Sequence, residues 1–480
     1  MGLSLLRAQV PSWAWGSRIG GSKDDYGTGI AVDVFGNVYM TGFFESSTLT
    51  LGATTLRNAG GKDIFVVKYD SSGQIVWAKS VGASGDEIGW DIAVDFSGNV
   101  YVTGFFESST LTLGATTLRN AGGKDIFVVK YDSSGQIVWA KSVGASGDEA
   151  GYRLAVDASG SVYVAGNFAS STLPFASINL RNAGGRDLFV VKYNTDGEVL
   201  WAQSAGGEAS DYSTDIAIDS IGNVYITGVF ESKRINFGSI TIKNAGLKPI
   251  DKKIFPWDFF LAKYAPNGRL LWVKSFGGNG DDYSVGIAVD ASGNTYVTGY
   301  FQSDNLSLGT ITLSNVYIWQ VTKGDDIERA FAWDIFVVKY DPNGQVVWAS
   351  SAGGSGPDAT AGIAVDARGN VYLTGFFGSS KLTFGTTTLQ GLGSISLHQV
   401  GYKWVIILGD LFVVKYDSNG QMLGAKGVGG YGKKGGAAIA TDTRGNAYVV
   451  GNFLDDSLIL EAYELPNKGR VDTFVGKLKL

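Results

Sequence analysis

The chain has 480 residues, with 69 glycines, 8 prolines, no cysteine and a formal net charge of −6. Without cysteine there are no disulfides, thiolate metal sites or cysteine nucleophiles, and without a basic field or a run of roughly 18 apolar residues we expect no nucleic-acid partner and no membrane span. Glycine at about twice its usual share of roughly 7% favours short strands joined by tight turns.

Three motifs each recur seven times along the chain. The motif I-A-V-D, in its commonest form, ends at Asp33, Asp95, Asp157, Asp219, Asp290, Asp366 and Asp442. The motif D-[IL]-F-V-V-K-Y begins at Asp63, Asp125, Asp187, Asp258, Asp334, Asp410 and Asp472. The motif G-Q-I-V-W-A-K-S centres on Trp15, Trp77, Trp139, Trp201, Trp272 and Trp348, with Gly424 in the seventh place. The chain is therefore seven copies of one unit.

In chain order, the first predicted element is a single strand at residues 11–20, of the type that ends each later unit. Each unit then shows four runs of β pattern, which we name strands a, b, c and d. In the second unit they cover 90–95, 100–106, 125–131 and 137–143. The a–b and c–d links of that unit, D-F-S-G-N and D-S-S-G-Q, are short hairpin turns in which glycine supplies the positive φ.

These units predict an all-β chain that forms one seven-bladed β-propeller with four antiparallel strands per blade, because radial packing covers both apolar faces of each sheet. We place the blades at about 21–82, 83–144, 145–206, 207–277, 278–353, 354–429 and 430–480. The last unit ends after a c-type strand at 472–478. We therefore expect the N-terminal strand to complete the last blade and close the ring.

All length variation lies in the b–c connection. From the b-strand glycine to the c-strand aspartate the distance is 21 residues in four blades, and it is longer by 9, 14 and 14 residues in blades four, five and six. The insertions lie within 246–257, 315–333 and 391–409, and the two longer ones have the pattern of β-hairpins. Alternating strand direction puts all three on the face that also carries the d–a links, where they form one raised sector.

Aromatic side chains are concentrated in these insertions, together with the only histidine of the chain. They could form a rim that stacks on sugar rings or docks a protein, or the inserted hairpins could pack on one another. Any Ser-His-Asp triad would have to use the single histidine. The candidate binding residues are Phe255, Trp257, Tyr317, Trp319, Trp333, His398, Tyr402 and Trp404.

Other polar residues recur in every unit, among them the aspartate that opens strand c and the lysine five residues after it. Chemistry needs a few groups around one reacting atom, whereas a residue present in every blade serves every blade, so we predict structural roles for both. Acids in the d–a links, such as Asp86 and Glu87, either cap turns or form a cation-binding ring. We favour caps, because the series breaks at Lys433 and Lys434.

The segments DASGNTYVTGYF (290–301) and LTLGATTLRNAGGKDIFVVKYDSSGQIVWAKSVG (49–82) resemble the SBBP family, the bacterial seven-bladed β-propeller repeat. The resemblance covers nearly the whole chain, from Trp15 to Leu478. It implies a propeller fold and an extracellular or cell-surface location in a bacterium, and it supplies no catalytic residue.

We therefore predict a non-catalytic extracellular or cell-surface scaffold, without a cofactor, that uses the insertions of blades four to six to bind a protein partner or to self-assemble. A glycan-binding module that uses the same aromatic rim is the first alternative. The second is a carbohydrate-active enzyme, which would need two carboxylates facing each other across a cleft.

Overall fold

The computed structural model describes residues 11–246, 254–316, 318–323, 326–392, 398–400, 403–405, 409–428 and 433–480. Seven four-stranded antiparallel sheets are arranged in a ring, and the strands described are joined by turns and loops without a helix. The first strand of each blade contacts the first strand of the next, and the last of these contacts the first. The predicted all-β, seven-bladed propeller is confirmed.

The chain opens with β1 (Ser12–Ile19). Blade 1 contains β2 (Asp25–Val32), β3 (Val38–Phe44), β4 (Thr48–Leu51), β5 (Thr54–Arg57), β6 (Asp63–Tyr69) and β7 (Ile75–Val81). Blade 2 contains β8 (Glu87–Val94), β9 (Val100–Phe106), β10 (Thr110–Leu113), β11 (Thr116–Arg119), β12 (Asp125–Tyr131) and β13 (Ile137–Val143). Blade 3 contains β14 (Glu149–Val156), β15 (Val162–Phe168), β16 (Thr172–Phe175), β17 (Ile178–Arg181), β18 (Asp187–Tyr193) and β19 (Val199–Ala205).

Blades 4 and 5 carry the first two insertions. Blade 4 contains β20 (Asp211–Ile218), β21 (Val224–Ser232), β22 (Arg234–Phe237), β23 (Ile240–Lys243), β24 (Ile254–Tyr264) and β25 (Leu270–Phe276). Blade 5 contains β26 (Asp282–Val289), β27 (Thr295–Phe301), β28 (Asn305–Ser307), β29 (Thr312–Ser314), β30 (Ile318–Lys323), β31 (Asp326–Phe331), β32 (Asp334–Tyr340) and β33 (Val346–Ala352). Strands β30 and β31 pair as an antiparallel hairpin, as the sequence predicts.

Blades 6 and 7 complete the ring. Blade 6 contains β34 (Asp358–Val365), β35 (Val371–Phe377), β36 (Lys381–Phe384), β37 (Thr387–Gln390), β38 (His398–Val400), β39 (Lys403–Val405), β40 (Asp410–Tyr416) and β41 (Met422–Val428). Blade 7 contains β42 (Lys434–Thr441), β43 (Asn446–Phe453), β44 (Ser457–Leu460), β45 (Tyr463–Pro466) and β46 (Asp472–Lys479). In the blade 6 insertion, β38 and β39 pair antiparallel.

The N-terminal strand completes the last blade, in the sheet order β1-β46-β43-β42. Trp13 and Ile19 of β1 are buried. Arg18 donates to a carboxylate oxygen of Asp472 at 2.5 Å, next to the pairing of the two strands. Without β1, the strand β46 would be an open sheet edge, so this pairing removes the edge and ties the two chain ends together.

Each b–c connection also holds a two-stranded hairpin that was not predicted: β4–β5, β10–β11, β16–β17, β22–β23, β28–β29, β36–β37 and β44–β45. These strands have three or four residues, too few for a periodic pattern to be distinguished from a loop. In blade 1, Leu49, Leu51 and Leu56 of the hairpin are buried in the core shared with the neighbouring blade. The hairpins therefore extend the core outward from the sheets.

The residues repeated in every blade have structural roles, as predicted. In blade 1, a carboxylate oxygen of Asp63 accepts the N–H of Ala59 at 2.7 Å. Lys68 places its ammonium 5.1 Å from the ring centre of Tyr39 and donates to the carbonyl of Ser133 in the next blade at 3.3 Å. Equivalent contacts recur around the ring. The aspartate holds its own loop, and the lysine joins neighbouring blades.

Candidate binding site at the propeller axis

Every first strand of a blade carries a β-bulge at the same position, four residues into the strand. A bulge inserts one extra residue and redirects its side chain. The seven bulged residues are Thr28, Trp90, Tyr152, Thr214, Val285, Ala361 and Ala437, and all of them line one cavity. Because each of the seven first strands contributes to it, this cavity lies on the axis of the propeller.

The axial cavity has a volume of about 470 Å³, which falls within the range of roughly 300–1,000 Å³ typical of small-molecule sites. Its wall includes the beginnings of the first strands, such as Tyr26, and the ends of the second strands, such as Phe43. Both meet at the face that carries the d–a and b–c connections. The cavity therefore lies beside the face on which the three insertions stand.

Blades 4 and 5 contain an unbroken series of five aromatic rings, which we call the aromatic ladder, and its first four rings line the cavity. Neighbouring ring centres are 4.9–5.7 Å apart, within the distance at which aromatic pairs stabilise each other. All five rings are half-buried. In order, the rings are those of Tyr212, Trp257, Tyr283, Tyr300 and Trp333.

Charged residues replace small ones just beyond the bulges of blades 2, 3 and 4. At the position held by glycine or alanine in the other four blades stand Asp91, Arg153 and Asp215. The Arg153 Nε atom lies 3.7 Å from a carboxylate oxygen of Asp215, whose other oxygen accepts the N–H of Ile287 at 2.8 Å. Burial raises the pKa of Asp215 to about 6, against the opposing effect of Arg153. Arg153 lines the cavity and so places a charged group on its wall.

The acids at the start of the first strands act as caps, as predicted. Asp25 accepts the hydroxyl of Ser46 at 2.7 Å and the N–H of Gly21 at 2.7 Å. The same hydroxyl contact recurs at Asp211 with Ser232, Asp282 with Ser303 and Asp358 with Ser379. Glu87 and Glu149 instead accept the backbone N–H of Ser108 and of Ser170. Among the described residues, no three His, Asp or Glu side chains gather as a metal site would require.

Blade 7 replaces both members of that pair. Lys434 stands where the other blades have an acid, and Asp455 stands where they have serine. The Lys434 ammonium lies 2.9 Å from a carboxylate oxygen of Asp455, and the two side chains are 2% and 6% exposed. The break in the acidic series that the sequence shows is therefore a coupled exchange of two residues, and it preserves a polar pair at this position.

Of the eight predicted binding residues, the structure brings two together. Trp257 and Trp333 belong to the aromatic ladder, joined through Tyr283 and Tyr300. The backbones of Phe255, Trp319, His398 and Trp404 lie in β24, β30, β38 and β39, and their side chains are outside the described part of the structure. Tyr317 and Tyr402 lie outside the described residues altogether.

Three residues of the ladder, Tyr212, Tyr283 and Tyr300, and the charged pair of Arg153 and Asp215 were missed from sequence. None of them stands in an insertion. A signal was present for three of these residues, because Arg153 and Asp215 stand where four blades have glycine or alanine, and Tyr300 is the one tyrosine at its position. Tyr212 and Tyr283 carried no such signal, because Tyr26 stands at the same place in blade 1.

The SBBP β-propeller repeat matches the chain at residues 14–42, 201–229 and 271–306. The chain carries SBBP repeats. Each matched segment includes the d strand of one blade and the first strands of the next, which is the part of the unit whose spacing never varies. The described residues include no helix that could cross a membrane.

Two curated proteins show similarity over most of this chain. An uncharacterized WD repeat-containing protein of Acanthamoeba polyphaga mimivirus is 23% identical over 92% of the chain, and the regulatory protein FlaEY of Caulobacter vibrioides is 26% identical over 72%. The chain spans 36% of the length of each. Among solved structures, Sqt1 from Chaetomium thermophilum is 10% identical, with 94% of this chain and 97% of that one covered at a TM-score of 0.42.

Proposed function

We propose that this propeller is a non-catalytic scaffold, located outside the cell or on its surface in a bacterium, that binds a protein partner or a second copy of itself through the insertion face of blades 4 to 6. One observation carries the proposal. The three b–c connections that are longer than the others lie on one face and in neighbouring blades, beside the aromatic side of the axial cavity. Loops on a rigid scaffold are where binding residues concentrate.

In blades 4 and 5, the base of the insertion is held by the same hydrogen bond as the short b–c loop of blade 1, which has no insertion. In blade 1, the side-chain amide of Asn58 donates to the carbonyl of Gly61 at 3.0 Å. The equivalent amides of Asn244 and Asn315 donate to Pro256 at 2.7 Å and to Ala332 at 2.9 Å, across the insertions of blades 4 and 5. The insertions are therefore additions to an intact loop, which supports a role in binding and not in holding the blade.

This loop geometry defines a precise deletion. Removing 317–330 and 393–406 together shortens blades 5 and 6 to the length of blade 1 and keeps Trp333 and Asn315 in place. We expect light scattering to give the wild type a mass above the 50.8 kDa of one chain, and the deletion variant the mass of a monomer with an unchanged thermal midpoint.

A control deletion removes the nine residues 246–254 from blade 4 alone, which leaves the two hairpins intact. If the double deletion assembles like the wild type, the hairpins are not the interface. If the wild type is itself a monomer, self-assembly is excluded, and a separate protein partner is the form of the proposal that remains. Fractionation of the native host, with detection of the chain outside the cytoplasm, tests the location.

A further inference from the structure

Blades 1 and 2 each hold a lysine ammonium between carboxylates and an aromatic ring, at the insertion face. Lys62 stands directly before the c-strand aspartate of blade 1, and its Nζ atom is 3.0 Å from Asp86 and 3.9 Å from Glu45. It also lies 5.8 Å from the ring centre of Phe43. In blade 2, Lys124 lies 2.9 Å from Glu107 and 4.3 Å from the ring centre of Phe105.

Blade 4 keeps both carboxylates of this arrangement and loses the lysine. Glu231 stands at the position of Glu45, Asp281 at that of Asp86, and Trp257 replaces Lys62. The carboxylate of Asp281 is oriented as in blade 1, because it accepts the N–H of Trp257 at 3.0 Å, where Asp86 accepts the N–H of Lys62 at 3.1 Å. Blade 4 therefore has both carboxylates of the blade 1 arrangement, with an indole at the position of the lysine.

Blade 4 alone has this combination. In blades 3, 5, 6 and 7 the position of Glu45 is occupied by alanine, glutamine, glycine or leucine. Among the described residues, no basic side chain lies within 4.0 Å of either Glu231 or Asp281. Blade 4 thus lacks the lysine but keeps both acids, and no other basic side chain among the described residues lies beside them.

The rings around these acids face the axial cavity. Trp257 lies 5.6 Å from Tyr212 and 5.7 Å from Tyr283, ring centre to ring centre, and all three line the cavity. Burial raises the pKa of Glu231, and the nearby charge of Asp281 raises it further. Indole and phenol rings attract cations through their negative faces, with tryptophan the strongest.

We propose that Tyr212, Glu231, Trp257, Asp281 and Tyr283 form a site for an organic ammonium ion, in which the ligand lies against the rings and supplies the positive charge that Lys62 supplies in blade 1. An aromatic wall with carboxylates beside it is the chemistry by which proteins recognise alkylated ammonium groups. The site goes beyond the proposed interface, because it is built from blade residues that remain when the hairpins of blades 5 and 6 are deleted.

A sugar would also stack on these rings and hydrogen-bond to carboxylates. The observations favour a cation, because two other blades fill the equivalent space with an ammonium group and none fills it with a neutral polar side chain. A neutral ligand would also leave the repulsion between two half-buried carboxylates unrelieved. The two ligand classes are separated by matched probes.

The probes are choline and its neutral isostere 3,3-dimethyl-1-butanol, with glucose as the sugar, titrated into the full chain at about pH 8, well above the ordinary carboxyl pKa of about 4. Binding is followed by calorimetry and by ligand-observed NMR. We expect saturable binding of choline and at least about tenfold weaker binding of the isostere, the difference that charge and cation–π attraction supply. Equal binding of the isostere, or preference for glucose, overturns the proposal.

Two variants remove the site in opposite ways. The isosteric change E231Q with D281N deletes the charges, and Trp257→Lys rebuilds the blade 1 arrangement so that the chain fills its own site. Each should weaken choline binding by about tenfold or more. The matched control is Glu107→Gln in blade 2, whose site Lys124 already occupies, and it should leave choline binding unchanged. Circular dichroism and the thermal midpoint show that each variant is folded.

Other results would overturn the proposal. One is choline binding that survives in the E231Q/D281N variant, since that places the ligand elsewhere. The insertion of blade 4 carries Lys248, Lys252 and Lys253, which lie outside the described residues. If choline binds only after these three lysines are changed to alanine, the insertion supplies its own cation and the site is not for a ligand. Absence of choline binding in both forms excludes the site.

Discussion

Replacing Asp455 with serine should lower the free energy of unfolding by about 3–5 kcal/mol, the usual cost of removing one partner from a buried ion pair. The substitution introduces the residue found at this position in the other six blades, so a comparison of repeats would classify it as harmless. The structure predicts a loss of stability, because the substitution removes the carboxylate that lies 2.9 Å from the Lys434 ammonium. The side chain of Lys434 is only 2% exposed. Urea unfolding measures the change.

The control is the double variant K434D with D455S, which recreates the pair of Asp25 with Ser46 in blade 7. We expect it to recover most of the lost stability, so that the two sites show a coupling energy of about 1–3 kcal/mol. The single change Lys434→Asp should also destabilise, since it sets two carboxylates against each other. Additive effects of the two substitutions would show that the exchange between blades is not coupled.

Stability should increase as the pH falls from about 8 to about 5. Burial raises the pKa of several repeated carboxyls, to about 6 for Asp25, Asp63, Asp125 and Asp187, to about 7 for Asp282, Asp334 and Asp358, and to about 8 for Asp211 and Asp258. A carboxyl with a raised pKa binds more protons in the folded chain. Its contribution is complete below the unfolded pKa of about 4 and is lost as the pH rises through the folded value.

Between its unfolded and its folded pKa, each such carboxyl lowers the free energy of unfolding by about 1.4 kcal/mol for every unit by which the pH rises. The thermal midpoint, measured by calorimetry from about pH 5 to about pH 8, should therefore decrease. Asp211→Asn should reduce that slope. Asp70→Asn is the control, because the hydroxyl of Ser72 lowers the pKa of Asp70, so its effect is constant above about pH 5. A midpoint that is level or rises over this range contradicts the prediction.

The ring of blades was predictable because the same pattern of strands and turns occurs seven times in the sequence. Glycines at fixed offsets mark every a–b and c–d turn, an aspartate opens every a–b turn, and the unpaired strand around Trp15 predicts its own partner, β46. The hairpin of Leu49 and Leu56 was not visible in the same data, because four-residue strands carry too little periodicity. Comparing the seven units strengthens the prediction of the long strands and does not improve the prediction of the short ones.

The site was harder to predict because it depends on departures from the repeat. Trp257 and Trp333 were selected because they lie in insertions, yet what places them in the ladder is their contact with Tyr212, Tyr283 and Tyr300, which lie in ordinary blade strands. Nothing in the sequence of a single unit predicts that the fourth residue of its first strand forms a bulge directed toward the propeller axis. That follows from how seven strands pack around a common centre.

The bulges have a consequence for how such a protein can change. A bulged residue is the extra member of its strand, so its side chain is not part of the pairing that holds the blade together. Substitutions at these seven positions should alter what the axial cavity accepts while leaving the strand pairing within each blade intact. The contrast between Thr28, Trp90 and Tyr152 in three successive blades shows that the positions tolerate very different side chains. A newly duplicated blade can therefore acquire its own specificity through a single codon, and the same seven positions offer a compact library for selecting propellers with new ligands.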